Sequence, residues 1–359
     1  MNPGKKIERI AVKIGSNVLT DSHGLLDDQR IEAIVRQVCE IREKGIEVVL
    51  ISSGAMAAGR GIYQPKQKTD AVGLRQMWSS LGQVRLIQVY GSLFNKYGVM
   101  TSQVLVTRDD FRSRDHYLNM KNCFSILLNN KIIPIVNEND VVSVTELMFT
   151  DNDELAGLVA TMLNVDLLVM LTAVDGILYS DPEVGLSVIR EIGVDDQSFE
   201  KHVQAGKSTF GRGGMLTKAH IASKVASSGI EVKIANGNRD NILKDVLEDR
   251  AINTRFIPSQ GKSNIKKWLS HAKGFEKGYV QINNGAKDAL KSERATSLLP
   301  IGVTKVEGNF DKGDLILIFD ENNNQVGLGI AQYNDVKARQ KAGVTNQRPI
   351  IHYDYLFLL

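Results

Sequence analysis

Over residues 1–250, short apolar runs alternate with longer amphipathic stretches. The short runs, 9–14, 47–52, 101–106, 132–136, 167–171 and 231–235, are rich in Val and Ile and mostly lack strict alternation. That is the pattern of strands buried on both faces of a parallel sheet. Between them lie helical patterns. Over 28–44, Ile31, Ile34, Val35, Val38 and Ile41 recur at the spacing of one helix face. The stretch ends at Lys44-Gly45, a normal helix stop. Further helices are predicted over 152–162 and 217–228. This alternation implies an α/β fold, an open, mostly parallel sheet sandwiched by helices with right-handed crossovers.

The pattern changes near Arg255. Residues 258–275 carry Pro258, Ser259, Gly261 and Ser263, then Lys262, Lys266, Lys267 and Lys273, and read as a connector. Beyond it, short apolar runs are punctuated by turn signals such as Asn283-Asn284-Gly285 and Gly308-Asn309, as expected for a small β-barrel-like module. The expected divisions are therefore 1–257, 258–275 and 276–359.

Composition narrows the function classes. Of 359 residues, 43% are hydrophobic and 24% charged, an ordinary globular balance. No apolar run is long enough to span a bilayer. The polar N-terminus has no signal-peptide core, so the expected location is the cytoplasm. Cys39 and Cys123 are expected to be buried free thiols, and no His or Cys spacing suggests a metal site. The net charge of +3 lies in the first part, because 276–359 holds ten Lys/Arg and ten Asp/Glu. That neutrality weakens a reading of the C-terminal module as a tight binder of nucleic-acid phosphates.

In an open parallel sheet, ligands sit beyond the C-terminal ends of the strands. The polar residues that follow the apolar runs are therefore the candidate chemistry. Lys13 sits in an apolar strand, where a lysine is costly unless an anion meets it, and Gly15 follows it. The structural alternative is a snorkelling lysine on an edge strand. Ser52-Ser53-Gly54-Ala55, followed by Gly59-Arg60-Gly61, reads as a strand-to-helix turn whose amides suit an anion, or as a plain turn. Asn137-Glu138-Asn139-Asp140 and Asp151-Asn152-Asp153 form two acidic and amide clusters. Helix capping explains one of these residues. An acceptor site for an ammonium group explains both clusters. Residues 172–182 offer two turns and Tyr179, a candidate nucleoside pocket. Gly211-Arg212-Gly213-Gly214-Met215-Leu216-Thr217-Lys218 is a glycine loop that ends in Thr-Lys at a helix start, a phosphate candidate without Walker A spacing. Two lysines, two Gly-rich turns and an acidic cluster on one sheet edge suit phosphoryl transfer, which needs positioning and charge compensation above all.

In their order and spacing, the motifs around Lys13, Ser53, Asn137, Asp153 and Lys218 resemble those of the glutamate 5-kinases of the amino-acid kinase superfamily. The resemblance extends over nearly the whole chain. Gly285-Ala286, Ser297-Leu298-Leu299-Pro300 and Gly308-Asn309-Phe310 are similar to the PUA domain appended to many members. The resemblance implies transfer of a phosphoryl group from ATP to the side-chain carboxylate of L-glutamate, with Mg²⁺, as the first step of proline synthesis. It implies that Lys13 and Lys218 stabilise the phosphoryl group and that Asp153 orients them. Ser53, Asp140 and Asn152 would bind glutamate, with Asn137 and Asp151 nearby. Lys13, Gly15, Thr172, Ala173, Arg212, Gly213, Gly214, Met215, Leu216, Thr217 and Lys218 would contact ATP. No metal ligand is assigned among the side chains. Family members often carry Thr-Asp where this chain has Thr172-Ala173. The resemblance also implies a homo-oligomer and feedback inhibition by proline. The alternatives are a sister kinase for another small carboxylate and an RNA-associated protein acting through the PUA-like module. The acids at 140 and 151–153 disfavour a phosphate-bearing acceptor and suit a free α-amino group.

Overall fold

The computed structural model describes residues 6–112, 114–142, 152–181, 185–194, 196–203, 214–259, 276–291 and 296–358. The chain divides into two compact units, one of Met1–Asp110 with Asn119–Gln260 and one of Phe111–Leu118 with Gly261–Leu359.

The first unit is built on an eight-stranded sheet. Its strands are β1 (Arg9–Ile14), β2 (Glu47–Ser52), β3 (Thr101–Val106), β4 (Ile133–Glu138), β5 (Leu167–Thr172), β8 (Glu191–Ile192), β9 (Glu231–Asn236) and β10 (Asn253–Phe256), while β6 (Leu178–Asp181) and β7 (Gly185–Val188) form a separate hairpin. The order is β3-β4-β2-β1-β5-β9-β10-β8. All neighbours run parallel except β9 and β10, which are antiparallel. The three strands expected at 9–14, 47–52 and 101–106 form with those bounds. Strand β4 runs two residues further than expected, so Asn137 and Glu138 belong to the strand. Because β1 is fourth in the order, Lys13 is not on an edge, and the snorkelling alternative is set aside.

The helices wholly within this unit are α1 (Ser16–Leu19), α2 (Asp28–Glu43), α3 (Ala55–Ile62), α4 (Ala71–Asn95), α7 (Asn152–Leu163), α8 (Phe199–Val203), α9 (Met215–Ser227) and α10 (Ile242–Leu247), while α5 (Arg108–Arg112) and α6 (Arg114–Asn129) are each divided between the two units. Helix α2 forms as its pattern predicts. Its apolar stripe, Ile31, Ile34, Val35, Val38 and Ile41, is buried in the core below the sheet with Ile10, Val12 and Ile14. The Asp27 carboxylate accepts from the Gln29 and Arg30 amides at 3.0 Å each, a cap worth about 1 kcal/mol.

Helices α3 and α4 cross with their backbones in contact. A Cβ on Gly59 would lie 1.8 Å from the Trp78 carbonyl oxygen, and one on Gly82 would lie 1.7 Å from that of Ala55. The glycine in Gly59-Arg60-Gly61 therefore serves helix packing and is not part of a ligand turn. Cys39 is buried, and burial pushes its thiol up to about 11. Cys123 is exposed, contrary to the expectation of two buried thiols. Among the described residues no helix is long and apolar enough to cross a membrane.

The second unit carries a five-stranded sheet of order β12-β11-β13-β14-β15, made of β11 (Gly278–Ile282), β12 (Val303–Gly308), β13 (Leu315–Phe319), β14 (Gln325–Ala331) and β15 (Ile351–Leu358). Its own core gathers Val280, Ile282, Ile316, Ile318 and Ile351. Asn283-Asn284-Gly285 opens the helix Asn284–Lys291 rather than a hairpin turn. The Asn283 side-chain oxygen accepts from the Ala286 amide at 2.8 Å, so the signal read as a turn is a helix cap.

Candidate active site

The parallel strands place the C-terminal ends of β1, β2, β4 and β5 along one edge. Lys13, the penultimate residue of β1, is 2% exposed. Its ammonium lies 2.6 Å from one oxygen of Asp153. The other oxygen of Asp153 accepts from Lys218 at 2.5 Å. Asp153 is fully buried in the first turn of α7, where the helix dipole favours a carboxylate. Lys218 stands in the first turn of α9, its amide bonded to the Gly214 carbonyl at 3.2 Å. Two lysines thus share one acid in a largely desolvated place. Lysines gathered in such a place can offset the charge of a bound anion.

Gly15 keeps that place open. A Cβ there would lie 3.2 Å from the Leu171 oxygen and 3.8 Å from the Lys13 ammonium. Its own amide is spent on Leu171 at 3.1 Å, so its contribution is room and not a hydrogen bond to a ligand. Helix α3 starts at Gly54, whose φ of +102° requires glycine, and no side chain caps it. No side chain caps α9 at Gly214 either. The start of α9 at Met215 makes Met215, Leu216 and Thr217 helical rather than part of the loop.

Beside the lysine pair lies a cavity of about 570 Å³ whose lining includes Ser53, Gly54, Asn137, Glu138, Asp140 and Asn152. Asn152, the neighbour of Asp153, donates to the Ser53 hydroxyl at 3.1 Å and to the Asn137 side-chain oxygen at 3.0 Å. The Asn137 oxygen also accepts from the Glu138 amide at 2.9 Å. On the far wall, Arg75 donates from Nε to Asp140 at 2.9 Å, and the Ser79 hydroxyl donates to the other Asp140 oxygen at 3.1 Å.

The structure thus joins Lys13, Asp153 and Lys218 in one cluster and Ser53, Asn137 and Asn152 in another, with Asp140 in the same cavity. Thr172 ends β5, its carbonyl accepting from the Gly237 amide at 2.8 Å. Thr172 and Ala173 are not among the residues that line the cavity. Asp151, Arg212 and Gly213 lie outside the described residues, as does most of the connector.

The sequence reading passed over Arg75 and Ser79. Both sit on α4, which it did not assign. The helical face of α4 is blurred because Ser79, Gly82 and Gln83 are buried while Val72, Leu81 and Val84 are exposed. The available signal was the i, i+4 spacing of Arg75 and Ser79 ahead of Gly82.

Residues 8–236 match the model of the amino acid kinase family, and residues 278–349 match that of the PUA domain. The chain is 49% identical over 358 residues to a glutamate 5-kinase of Bacteroides thetaiotaomicron, covering 99% of each chain. It is 47% identical over 352 residues to a glutamate 5-kinase of Chlorobaculum tepidum, covering 98% of this chain and 97% of that one. Among solved structures, the Giardia lamblia carbamate kinase bound to AMP-PNP aligns with 70% of this chain and 99% of its own. The TM-score is 0.51 at 18% identity, a likeness of fold alone.

Proposed function

Because the chain belongs to the amino acid kinase family and, within it, to the glutamate 5-kinases, we propose that it transfers the γ-phosphoryl group of ATP to the side-chain carboxylate of L-glutamate. The products are L-glutamyl 5-phosphate and ADP, the opening step of proline synthesis. The observation that carries the residue roles is the buried carboxylate of Asp153 shared by two lysines from distant segments.

The chemistry asks little of a base. A carboxylate with an ordinary pKa near 4.3 is already ionised at neutral pH. Its oxygen forms the new bond to phosphorus as the bond to the ADP oxygen breaks, and no proton need move. The obstacle is the meeting of two anions. Lys13 and Lys218 offset charge on the phosphoryl group as it passes between them, and Asp153 holds both ammonium groups on that path. Ser53, Asn137, Asn152 and Asp140 hold glutamate, with Asp140 suited to its α-ammonium, and Asp151 belongs to the same motif.

The ATP side comprises Gly15, Thr172, Ala173 and the run from Arg212 to Lys218. The open space over Gly15 and the uncapped start of α9 fit phosphate oxygens. Among the described residues no three His, Cys, Asp or Glu side chains could hold a metal together. Mg²⁺, which the family implies, would enter with the nucleotide and would supply charge compensation.

The proposal further divides the chain into a catalytic domain (1–257), a connector (258–275) and a PUA domain (276–359). It includes a cytoplasmic location, assembly with copies of the same chain and inhibition by proline, which rest on family membership. Coupled ADP release measured with glutamate, aspartate, N-acetylglutamate and UMP tests the reading. Turnover should be confined largely to glutamate. Turnover of N-acetylglutamate or UMP with none of glutamate would overturn it.

A further inference from the structure

One wall of the cavity has no part in the roles above. Ser22, His23 and Gly24 line it, together with Met56 and Arg60 of α3. At about 570 Å³ the cavity is of the size that takes a drug-sized molecule. Glutamate is much smaller, so the outer walls decide what else can enter.

The chain leaves Lys13 through Gly15 and α1 and then doubles back. Thr20 and Leu26 pair as an antiparallel bridge, and the Asp21 amide donates to the Leu25 carbonyl at 2.8 Å. The Asp21 carboxylate accepts from the His23 amide at 2.8 Å and from the Leu25 amide at 2.9 Å, so the turn holds its own shape. Its base is anchored. Leu26 packs against the core of the first unit, and a Cβ on Gly54 would lie 3.3 Å from it. Its tip lies along the last turn of α3. There a terminal amino group of Arg60 donates to the Gly24 carbonyl at 2.9 Å. Leu25 runs beside Gly61, where a Cβ would come within 3.5 Å of it.

A surface turn that shapes itself does not require an arginine from another helix. This one borders the cavity that also holds Ser53, Asp140 and Asn152. The helix it is tied to begins next to Ser53, at Gly54. Arg60 therefore joins the segment that follows Lys13 to the segment that follows Ser53. With that tie lost, the base would stay in the core and the tip would loosen, as exposed turns held by few contacts do.

We infer that Arg60 is a positioning residue. By holding the Gly24 carbonyl it keeps the turn 20–26 in place as an outer wall of the acceptor cavity, and that wall excludes acceptors bulkier than glutamate. The inference rests on the reading of this cavity as the glutamate site.

Arg60→Met removes the donor and keeps much of the apolar stem. Its KM for glutamate should rise about fivefold, the scale of one charge-assisted hydrogen bond at an exposed position. Its kcat and its KM for ATP should stay within about twofold of the parent, since the reacting groups are untouched. The preference for L-glutamate over L-2-aminoadipate, which is longer by a methylene, should fall, whether read by turnover or by competition. Gly24→Ala attacks the same tie from the other side. Its Cβ would lie 3.2 Å from the Arg60 guanidinium at a φ of +72°, so it should reproduce the methionine variant. Arg60→Lys keeps a donor for the carbonyl and should stay close to the parent. A lysine variant as impaired as the methionine one would mean that the guanidinium meets the ligand itself, and would overturn the positioning role. A KM for glutamate that does not rise, a preference that stays at the parent value, or a loss confined to kcat would each overturn it too. If Arg60→Met does not fold, Gly24→Ala decides by the same readings. A parent protein inactive on glutamate would instead remove the functional reading, and the inference with it.

Discussion

Two lysines lie buried in strands of one sheet, and they do different things. Lys13 of β1 and Lys233 of β9 are 2% and 3% exposed. Strand register sets Lys13 beside Met170 and Lys233 beside Val169, consecutive residues of β5, so the two side chains leave opposite faces of the sheet. Lys233 donates to the Val246 carbonyl at 2.9 Å and to Asp249 at 2.5 Å. Asp249 is 71% exposed, and Glu231 also lies 3.5 Å from the Lys233 ammonium, so acids meet this lysine from two sides. Lys13 shares a fully buried acid with Lys218, a lysine from a distant segment. Burial of a lysine is therefore not the mark of function here. What sets the first lysine apart is an acid shared with a second lysine beside the cavity.

The largest expected effect comes from making the first site resemble the second. Lys218→Ala leaves Lys13 on Asp153 without the second lysine. The turnover number should fall by about 1,000-fold, the upper scale for removing one charge-stabilising donor. The thermal midpoint should move little, because the buried pair survives. Near-normal turnover would remove Lys218 from the transfer step.

The reverse change touches only stability. Asp249→Ala leaves the Lys233 ammonium with the Val246 carbonyl and Glu231 and costs about 1 kcal/mol, as for a half-exposed ion pair. Denaturant unfolding should detect it, and kinetics with ATP and glutamate should not. A loss of turnover would erase the distinction between the two lysines.

A third lysine–acid pair, Lys287 with Asp320 in the other unit at 2.7 Å, extends the comparison to pH. The Lys287 ammonium, followed by the Asn324 amide, holds the Asp320 carboxyl down at about 2 against an ordinary 3.8. A depressed folded-state value means that its stabilisation is complete above the ordinary value and is lost as pH falls from about 3.8 through about 2. Hydrogen exchange in β13 and β14 should therefore quicken over that window, and Asp320→Asn should flatten the change.

How much of this was legible follows from where the information sits. The strands β1 and β2 were readable to the residue because they are buried on both faces, and a continuous apolar run needs no partner to identify it. Lys13 stood out for the same reason, as a charge inside such a run. The sharing of Asp153 by Lys13 and Lys218 is a tertiary fact, and only the family resemblance anticipated it. Helix α4 was missed because glycine contact with α3 and the polar site reverse the usual placement of small and apolar residues, and Arg75 was missed with it. Asn283 misled because one side chain serves a turn and a helix cap by the same hydrogen bond.

The central claim is that Lys13 works in phosphoryl transfer while Lys233 only holds the fold. ATP-dependent γ-glutamyl hydroxamate formation by Lys13→Met and Lys233→Met, measured side by side on folded protein, tests it most directly. The account predicts that the Lys13 variant loses essentially all product and the Lys233 variant keeps nearly all of it. Equal losses, or a Lys13 variant that retains its activity, would contradict it.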